Sequence, residues 1–384
     1  MSHGRTFRIA YVIGELGTGG AEYQLYELLR ALDRNRFEPA VFSLATGGHW
    51  TGPIRALGIG VHELESRGSA DVRRLLRLRR ALAAFAPHVL HTVLWSGNAY
   101  GRLAAIGLRI PVVITAERNV ITRPAWQIAL ERALDRGTSC YLVNSAAIVR
   151  LLVERQRLPA AKMRVVHNGI DLARLPPFEP GREAARAALG LDPRRRLLAQ
   201  VGRLAEQKDW PTFLQAAATV TAALPDLDVL AVGEGPLRPA MERLAADLGL
   251  GTRIRFLGMR HDVPAVLAGV DVMALTSTYE GLPNVVIEAM AVGAVVVATD
   301  VGGTAELILD GETGFLVPPR RPDVTAAKVV GVLHDPALAA RLARAGRARV
   351  EEEFGLEAMV RGTSAVYEAQ LRSAGLLRDG TAAA

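Results

Sequence analysis

The chain has 384 residues, half of them hydrophobic, which is enough for two domains of ordinary size with sizeable cores. Its single cysteine, Cys140, excludes an internal disulfide framework and a metal site built from several cysteines. The net charge of +7 favours a polyanionic partner, but no aromatic residue interleaves with a basic run, which argues against a nucleic-acid platform.

The apolar runs are too short for a secretory signal or a membrane span. We therefore expect a cytoplasmic protein. The histidines are few and scattered, without a zinc-binding pattern, so we expect no metal site.

The first predicted unit is a buried strand at residues 7–13, a glycine-rich turn and a helix that begins near residue 21. Gly19 and Gly20 lie in that turn, a geometry that can bind phosphate. A dinucleotide dehydrogenase would have an acidic residue after its second strand. The second strand here, at residues 39–44, is followed by Ala-Thr-Gly-Gly, which disfavours NAD.

An amphipathic helix is predicted at residues 71–85, with leucines on one face and Arg73, Arg77 and Arg80 on the other. The basic face can lie on anionic lipid headgroups or simply face solvent. The sequence leaves both interpretations open.

Two later strands of this half end in polar residues. His91 ends one of them, and we interpret it as a core or capping histidine. Asn98 lies in the helix that follows, and the next strand, at residues 111–115, leads into Glu117 and Arg118. The half closes with Asn-Gly-Ile-Asp at residues 168–171, which we interpret as a structural turn.

A proline-rich segment marks the domain boundary. We place the first domain at residues 1–174, a linker at 175–192 and the second domain at 193–355. A strand at residues 196–201 opens the second half, and Arg203 and Lys208 follow its carboxyl end. Two fixed cations at that position suit a diphosphate when no metal is present.

An apolar run at residues 270–275 reads as a strand, and residues 279–290 after it read as a loop and a helix, with Glu280 in the loop and Glu288 in the helix. Ligands of open α/β sheets bind at this edge, and the helix N-terminus offers free N–H groups to a diphosphate. Small and apolar residues surround Glu288, an unusual setting for a solvated charge.

This last stretch, with Gly-Leu-Pro-Asn after the first Glu, resembles the signature of the retaining glycosyltransferases of family 4. Gly-Gly-Ala-Glu in the first turn and Gly-Arg-Leu…Lys after residue 201 resemble that family as well. The resemblance spans nearly the whole chain. It implies the GT-B fold: two Rossmann-like domains with doubly wound parallel sheets that face each other across a cleft, and a C-terminal helix, about 356–375, that crosses back to the first domain. Residues 379–384 are predicted to be disordered.

The resemblance also implies site residues. The implied catalytic residues are Glu280, Arg203 and Lys208. The implied donor-binding residues are Gly19, Gly20, Arg203, Lys208, Gly258, Arg260, Glu280, Gly281, Leu282, Asn284 and Glu288. The family often has a histidine where this chain has Glu117-Arg118-Asn119, so Asn98, Glu117 and Arg118 are acceptor-side candidates.

The implied function is metal-independent and cofactor-free hexosyl transfer from a nucleotide sugar, first a UDP-sugar and second GDP-mannose. The implied acceptor is a glycan, lipid-linked or polysaccharide, in cell-surface polysaccharide biosynthesis. An anionic membrane surface at the inner face of the plasma membrane is a further expected partner, whereas nucleic acid is not. A sugar-nucleotide epimerase of the same fold and a non-catalytic nucleotide-sugar-binding protein remain alternatives.

Overall fold

The computed structural model describes residues 6–65, 71–177 and 181–377. The chain divides into two compact units, which we call the first and the second domain. The first comprises Met1–Gly169 with Leu356–Ala384, and the second comprises Ile170–Gly355. Residues 178–180 of the predicted linker and the predicted disordered end at 379–384 lie outside the described residues.

The first domain is built on a seven-stranded parallel sheet with the order β3-β2-β1-β4-β5-β6-β7. Its strands are β1 Phe7–Ile13, β2 Phe37–Ser43, β3 Gly60–Glu63, β4 Val89–Val93, β5 Val112–Glu117, β6 Cys140–Val143 and β7 Met163–Val165. Its helices are α1 Gly20–Ala31, α2 Thr51–Ala56, α3 Val72–Phe85, α4 Leu94–Ala105, α5 Ala125–Leu134, α6 Ala146–Arg150 and α15 Leu356–Ser373.

Hydrophobic burial explains why the central strands form. Strands β1 and β4 are almost entirely buried, as expected when helices cover both faces of a parallel sheet. Such strands need continuous apolar runs rather than alternation, and the segments 7–13 and 89–93 supply them. Strand β1 then passes through a loop into α1, and β4 continues directly into α4.

The C-terminal helix α15 belongs to the first domain, as predicted. It packs against α1, and its Tyr367 is fully buried in the core of this domain. The Tyr367 hydroxyl lies 3.0 Å from the Tyr11 hydroxyl and 2.6 Å from His91 Nδ1. These bonds join the end of the chain to β1 and β4.

The second domain is built on a six-stranded parallel sheet with the order β10-β9-β8-β11-β12-β13. Its strands are β8 Arg196–Val201, β9 Leu227–Val232, β10 Ile254–Gly258, β11 Val272–Leu275, β12 Val295–Thr299 and β13 Phe315–Val317. Its helices are α7 Gly181–Ala188, α8 Trp210–Ala223, α9 Arg238–Asp247, α10 Val263–Ala268, α11 Asn284–Val292, α12 Thr304–Leu307, α13 Pro322–His334 and α14 Pro336–Glu353.

The predicted linker at 175–192 contains α7, which packs against α10. Arg186 on α7 donates to the Gly269 carbonyl at 2.8 Å and forms an ion pair with Asp271 at 2.6 Å. The described part of this segment therefore joins the second domain, and the structure places the boundary after residue 169.

Both sheets reverse their strand order at one point, between β1 and β4 in the first domain and between β8 and β11 in the second. The fold-class prediction of two doubly wound parallel sheets is confirmed. Ligands of such sheets bind at the carboxyl ends of the strands beside this reversal. None of the described helices combines the length and hydropathy needed to cross a membrane.

Candidate active site

In the second domain, Lys208 and Glu280 meet beside the strand reversal. Lys208 follows β8, Glu280 follows β11, and Lys208 Nζ lies 2.5 Å from Glu280 Oε1. The Ser277 hydroxyl donates to the same oxygen at 2.6 Å, and Gln207 Nε2 lies 3.4 Å from Glu280 Oε2. We call Gln207, Lys208, Ser277 and Glu280 the Glu280 cluster.

Polar residues at the ends of buried strands hold this cluster in place. Gln200, the penultimate residue of β8, accepts the Thr276 backbone N–H at 3.2 Å and donates to the Lys208 carbonyl at 3.1 Å. Thr299, at the end of β12, donates to the Ser277 carbonyl at 2.6 Å. The sequence analysis did not identify Gln200 and Thr299. A glutamine within an apolar strand can be recognised in the sequence, and in the structure Gln200 is fully buried.

Gly302 allows the Glu280 loop to lie close against the turn that follows β12. Its φ is +59°, and a Cβ at this position would lie 1.8 Å from the Glu280 carbonyl oxygen. The next residue, Gly303, donates its backbone N–H to the Gly281 carbonyl at 2.9 Å. Only glycine satisfies both the dihedral angle and this close contact.

Arg203 is exposed at the same edge. Its carbonyl accepts the Trp210 indole N–H at 3.0 Å, which fixes the backbone. Within residues 6–65, 71–177 and 181–377, its guanidinium has no ion-pair partner. Of the two predicted cations, Lys208 is neutralised by Glu280, and Arg203 is the one whose charge is available to a ligand.

Glu288 lies in the second turn of α11, partly buried among apolar neighbours. Burial raises its pKa to about 7, because an apolar environment disfavours the charged form. A carboxylate in this setting gains most from a ligand that donates hydrogen bonds to it.

Gly281, Leu282 and Asn284 surround the start of α11. Its N-cap, Pro283, makes no side-chain capping bond, and the helix begins at Asn284. The first backbone N–H groups of a helix favour a negatively charged group. Gly281, Leu282 and Asn284 therefore lie beside Glu280 at the start of α11.

Gly258 and Arg260 lie farther away. Gly258 is the last residue of β10 and Arg260 follows it. Two strands separate β10 from β11, which corresponds to about 14 Å at the usual strand spacing. The Arg260 guanidinium is paired with the Asp262 carboxylate at 2.6 Å and 2.8 Å. These two predicted residues do not join the Glu280 cluster.

In the first domain, Gly19 is the N-cap of α1 and Gly20 is its first residue. A Cβ on Gly19 would lie 2.3 Å from Glu22 Oε2. Glu22 is buried, and burial raises the pKa of its carboxyl group. Gly19 thus makes room for a buried carboxylate in the first turn of the helix.

Glu117 and Arg118 lie at the end of β5, and each has a polar partner. Glu117 is buried and forms an ion pair with Arg123. Arg118 Nη1 donates to Asn168 Oδ1 at 2.8 Å, and Asn144 Nδ2 donates to the same oxygen at 3.2 Å. We call Arg118, Asn144 and Asn168 the Arg118 cluster.

Asn98 is fully buried, and both ends of its amide are used inside the domain. Its Oδ1 accepts from the Thr92 hydroxyl at 2.8 Å, and its Nδ2 donates to the Ala116 carbonyl at 3.1 Å. The structure does not bring Asn98 into the Arg118 cluster. It places Asn98 as a bridge between α4, β4 and β5.

His91 is a core histidine, in agreement with the sequence analysis. It is buried, and burial lowers its pKa to about 3, so the ring is neutral at physiological pH. In the part of the chain that the structure describes, no three His, Cys, Asp or Glu side chains form a group suited to a metal ion.

Both domains match known family models. A model described as Glycosyltransferase Family 4 matches residues 18–174, and one described as Glycosyl transferases group 1 matches residues 181–349.

Several curated proteins are similar to this chain. One is the D-inositol 3-phosphate glycosyltransferase of Mycolicibacterium vanbaalenii, 30% identical over 86% of this chain and 78% of the relative. Another is the alpha-D-kanosaminyltransferase of Streptomyces kanamyceticus, 30% identical over 74% of each chain. The D-inositol 3-phosphate glycosyltransferase of Mycolicibacterium gilvum is 34% identical, but the match spans 57% of its length.

Solved structures share the fold. Anabaena HepE in complex with UDP-glucose has a TM-score of 0.85 at 20% identity, over 94% of this chain and 100% of the other. Sucrose-phosphate synthase from Thermosynechococcus elongatus has a TM-score of 0.80 at 24% identity, over 95% of this chain and 100% of the other.

Proposed function

This chain is a glycosyltransferase that belongs to glycosyltransferase family 4, and we propose that it moves a hexosyl group from a UDP-sugar to a glycan with retention at the anomeric carbon. One observation carries the proposal. Lys208, Glu280 and the start of α11 converge beside the strand reversal of the second domain, the position where α/β sheets bind nucleotides.

Charge stabilisation drives the proposed reaction. The bond between the anomeric carbon and the diphosphate oxygen breaks, and its electron pair stays on the diphosphate. Arg203, Lys208 and the N–H groups at the start of α11 stabilise the growing negative charge. In this scheme the two cations take the place of a metal ion, and no other cofactor takes part.

The Glu280 cluster suggests how donor binding activates Lys208. In the free protein, Glu280 neutralises Lys208 at 2.5 Å. When Glu280 accepts hydrogen bonds from hydroxyls of the donor sugar, its hold on Lys208 weakens. The ammonium group then becomes available to the diphosphate. Glu280 thereby couples the presence of the sugar to stabilisation of the leaving group.

Glu288 completes the donor site by accepting hydrogen bonds from the two ribose hydroxyls. Two donors favour its ionised form and offset the desolvation that raises its pKa. We assign no enzyme nucleophile. The acceptor oxygen attacks the face from which the diphosphate leaves, and its proton passes to a phosphate oxygen of the leaving group.

UDP is our first choice of donor nucleotide and GDP, as in GDP-mannose, is the second. The neighbouring structure of HepE holds UDP-glucose, which supports the choice of UDP. For the acceptor we keep a glycan, lipid-linked or polysaccharide, in cell-surface polysaccharide biosynthesis. The relatives differ in the compounds for which they are named, inositol 3-phosphate in one and kanosamine in another, so their names do not select one acceptor.

A peripheral membrane contact belongs to the same proposal. On α3, Val72 is 68% exposed and Leu76 is 49% exposed, and the exposed Arg73 and Arg80 lie beside them. Apolar side chains flanked by arginines suit the headgroup region of an anionic membrane. This supports a location at the inner face of the plasma membrane.

Calorimetry with UDP, GDP and ADP tests the donor site, using the wild-type chain and Glu288→Ala. We expect one nucleotide, UDP, to bind the wild type and to lose most of its affinity in the variant. Failure of all three nucleotides to bind would overturn the donor assignment. Tight UDP binding without sugar transfer would instead favour a non-catalytic binding protein, and epimerisation of the bound UDP-sugar would favour the epimerase.

A further inference from the structure

Arg118 is a partly buried cation at the end of β5 that forms no ion pair with a carboxylate of the described residues. Its one side-chain bond in the structure goes from Nη1 to the neutral amide oxygen of Asn168, at 2.8 Å. No carboxylate of the described residues lies within ion-pair distance of it. Burial lowers its pKa to about 10, so it remains charged at neutral pH. A partly buried charge that no carboxylate pairs directly is costly, and a ligand that supplies an anionic group at Arg118 would offset this cost.

The partner of Arg118 is held firmly. Asn144 Nδ2 donates to Asn168 Oδ1 at 3.2 Å, which fixes the direction of that oxygen. The next residue, Gly169, exchanges two hydrogen bonds with the Gln24 side chain, at 3.0 Å and 3.1 Å. The guanidinium therefore has a fixed position at the carboxyl edge of the sheet, which reduces the entropic cost of binding a ligand.

The neighbouring carboxylates do not neutralise Arg118. Glu117 forms its ion pair with Arg123 and accepts only the backbone N–H of Arg118, at 3.1 Å. Glu22 and Arg118 interact electrostatically, and each lowers the energy of the other's charged form. Burial raises the pKa of Glu22, and among the described residues its carboxylate oxygens do not come within ion-pair distance of Arg118.

We propose that Arg118 binds an anionic group, a phosphate or a carboxylate, on the sugar acceptor. With Nη1 used by Asn168, Nε and Nη2 remain to form a pair of parallel bonds to two oxygens of such a group. This inference rests on the proposed function, because it assigns acceptor binding to the first domain. It narrows the acceptor to a charged sugar or sugar phosphate.

Matched ligands test this selectivity. Inorganic phosphate, glucose 6-phosphate, glucuronate and glucose are titrated by NMR into the full chain saturated with UDP, so that the diphosphate site is occupied. The wild type should bind the three anions at least about tenfold more tightly than glucose. In Arg118→Gln, the affinity for glucose should stay the same and that preference should disappear.

The titration distinguishes a phosphate from a carboxylate on the acceptor. Preference for phosphate and glucose 6-phosphate over glucuronate would assign a phosphorylated acceptor, and the reverse order would assign an acidic sugar. Absence of any anion preference in the wild type would overturn the proposal.

Asn168→Asp is the sharpest variant. It keeps the size of the side chain and every atom of Arg118 but places a carboxylate 2.8 Å from Nη1. The new ion pair should abolish anion preference as completely as Arg118→Gln does. Arg136→Gln, at an exposed arginine of the same domain, makes the same change of net charge and should leave the preference intact.

A structural role for Arg118 predicts a different result. If it serves only as a counter-charge for Glu22, Arg118→Gln should lower thermal stability, and anion affinity should not depend on Arg118. That outcome would overturn the proposal. UDP affinity is measured for the wild type and for every variant. If UDP does not bind the wild type, the proposed donor site is wrong. The anion titration can then be repeated without UDP, and it still tests the role of Arg118.

Discussion

The two domains share one topology but arrange charge differently at the edges of their sheets. In the second domain, the cation and the carboxylate beside the strand reversal, Lys208 and Glu280, are paired at 2.5 Å. In the first domain, Arg118 binds a neutral amide, and the adjacent Glu117 is already paired with Arg123. The same kind of sheet thus presents a neutralised lysine in one domain and, in the other, an arginine that no carboxylate of the described residues pairs directly.

The difference shows how a repeated scaffold acquires two tasks. The fold decides where ligands bind, because such sheets bind ligands at the strand ends beside the reversal, and both sheets have one. The side chains at those ends decide what binds. Lys208 can be released by a ligand that binds its partner carboxylate. Arg118 can bind an anionic ligand directly. Variants at the carboxyl edges of the two sheets can test the roles assigned to these side chains.

The largest expected effect is on catalysis at the second-domain edge. Lys208→Ala should lower kcat/KM for sugar transfer by about 100- to 1,000-fold, because the leaving diphosphate loses a cation. Steady-state kinetics would measure it, with thermal unfolding to verify folding. Lys328→Ala, on α13 over the Phe315 ring, is the matched control and should keep normal turnover. Near-normal turnover of Lys208→Ala would remove Lys208 from the site.

The next effect concerns the close packing that holds Glu280. Gly302 and Gly311 have similar positive φ values, +59° and +75°, but only at Gly302 would an added Cβ meet backbone, 1.8 Å from the Glu280 carbonyl oxygen. Gly311→Ala should lower the free energy of unfolding by about 1 kcal/mol, and Gly302→Ala by at least about 2 kcal/mol more. Urea unfolding would measure both, and equal losses would contradict the packing argument.

In the first domain, the test concerns the anchoring of α15. Tyr367→Phe removes the hydroxyl that bonds to both Tyr11 and His91. The buried Tyr11 hydroxyl and His91 Nδ1 then each lose a hydrogen-bond partner. We expect a loss of about 1–3 kcal/mol in unfolding free energy, measured by denaturant titration. Tyr26→Phe is the control, because Tyr26 stacks on Trp50 and its hydroxyl bonds to no other described residue. This variant should change stability by less than about 0.5 kcal/mol.

The smallest effect is a pH dependence of donor binding. Glu288 has a pKa of about 7 in the free protein and must be ionised to accept two ribose hydroxyls. The affinity for UDP-glucose should therefore rise roughly tenfold between about pH 6 and about pH 8. UDP-glucose is the probe because its diphosphate has no proton to lose in this range. In Glu288→Gln, the affinity should be lower and independent of pH.

Stability should change in the opposite direction over the same range. Because burial raises the folded-state pKa of Glu288 above the unfolded value, ionisation opposes folding, and stability falls as pH rises toward and through about 7. Glu288→Gln should lack this contribution. A wild-type binding curve that is flat with pH would show that Glu288 does not contact the ribose.

The sequence predicted the family and the fold class, and both predictions are confirmed. Strands, glycine turns and helices are local features, so the segment from β8 to Lys208 and the segment from β11 to Glu288 could be recognised separately. The roles of the individual site residues stay predictions. Arg260 makes a local contact that the sequence analysis overlooked: its guanidinium pairs with Asp262, only two residues away.

What the sequence determined by itself were the apolar runs, the turns and the residue types that stand after each strand, because these depend on neighbouring residues. What only the tertiary structure decided were partners distant in the chain. Lys208 meets Glu280 across 72 residues, Arg118 meets Asn168 across 50, and Tyr11 meets Tyr367 across 356. Strand order and helix packing create these contacts, and no local pattern encodes them. The charge balance at each edge, and with it the chemistry, is therefore a property of the folded chain.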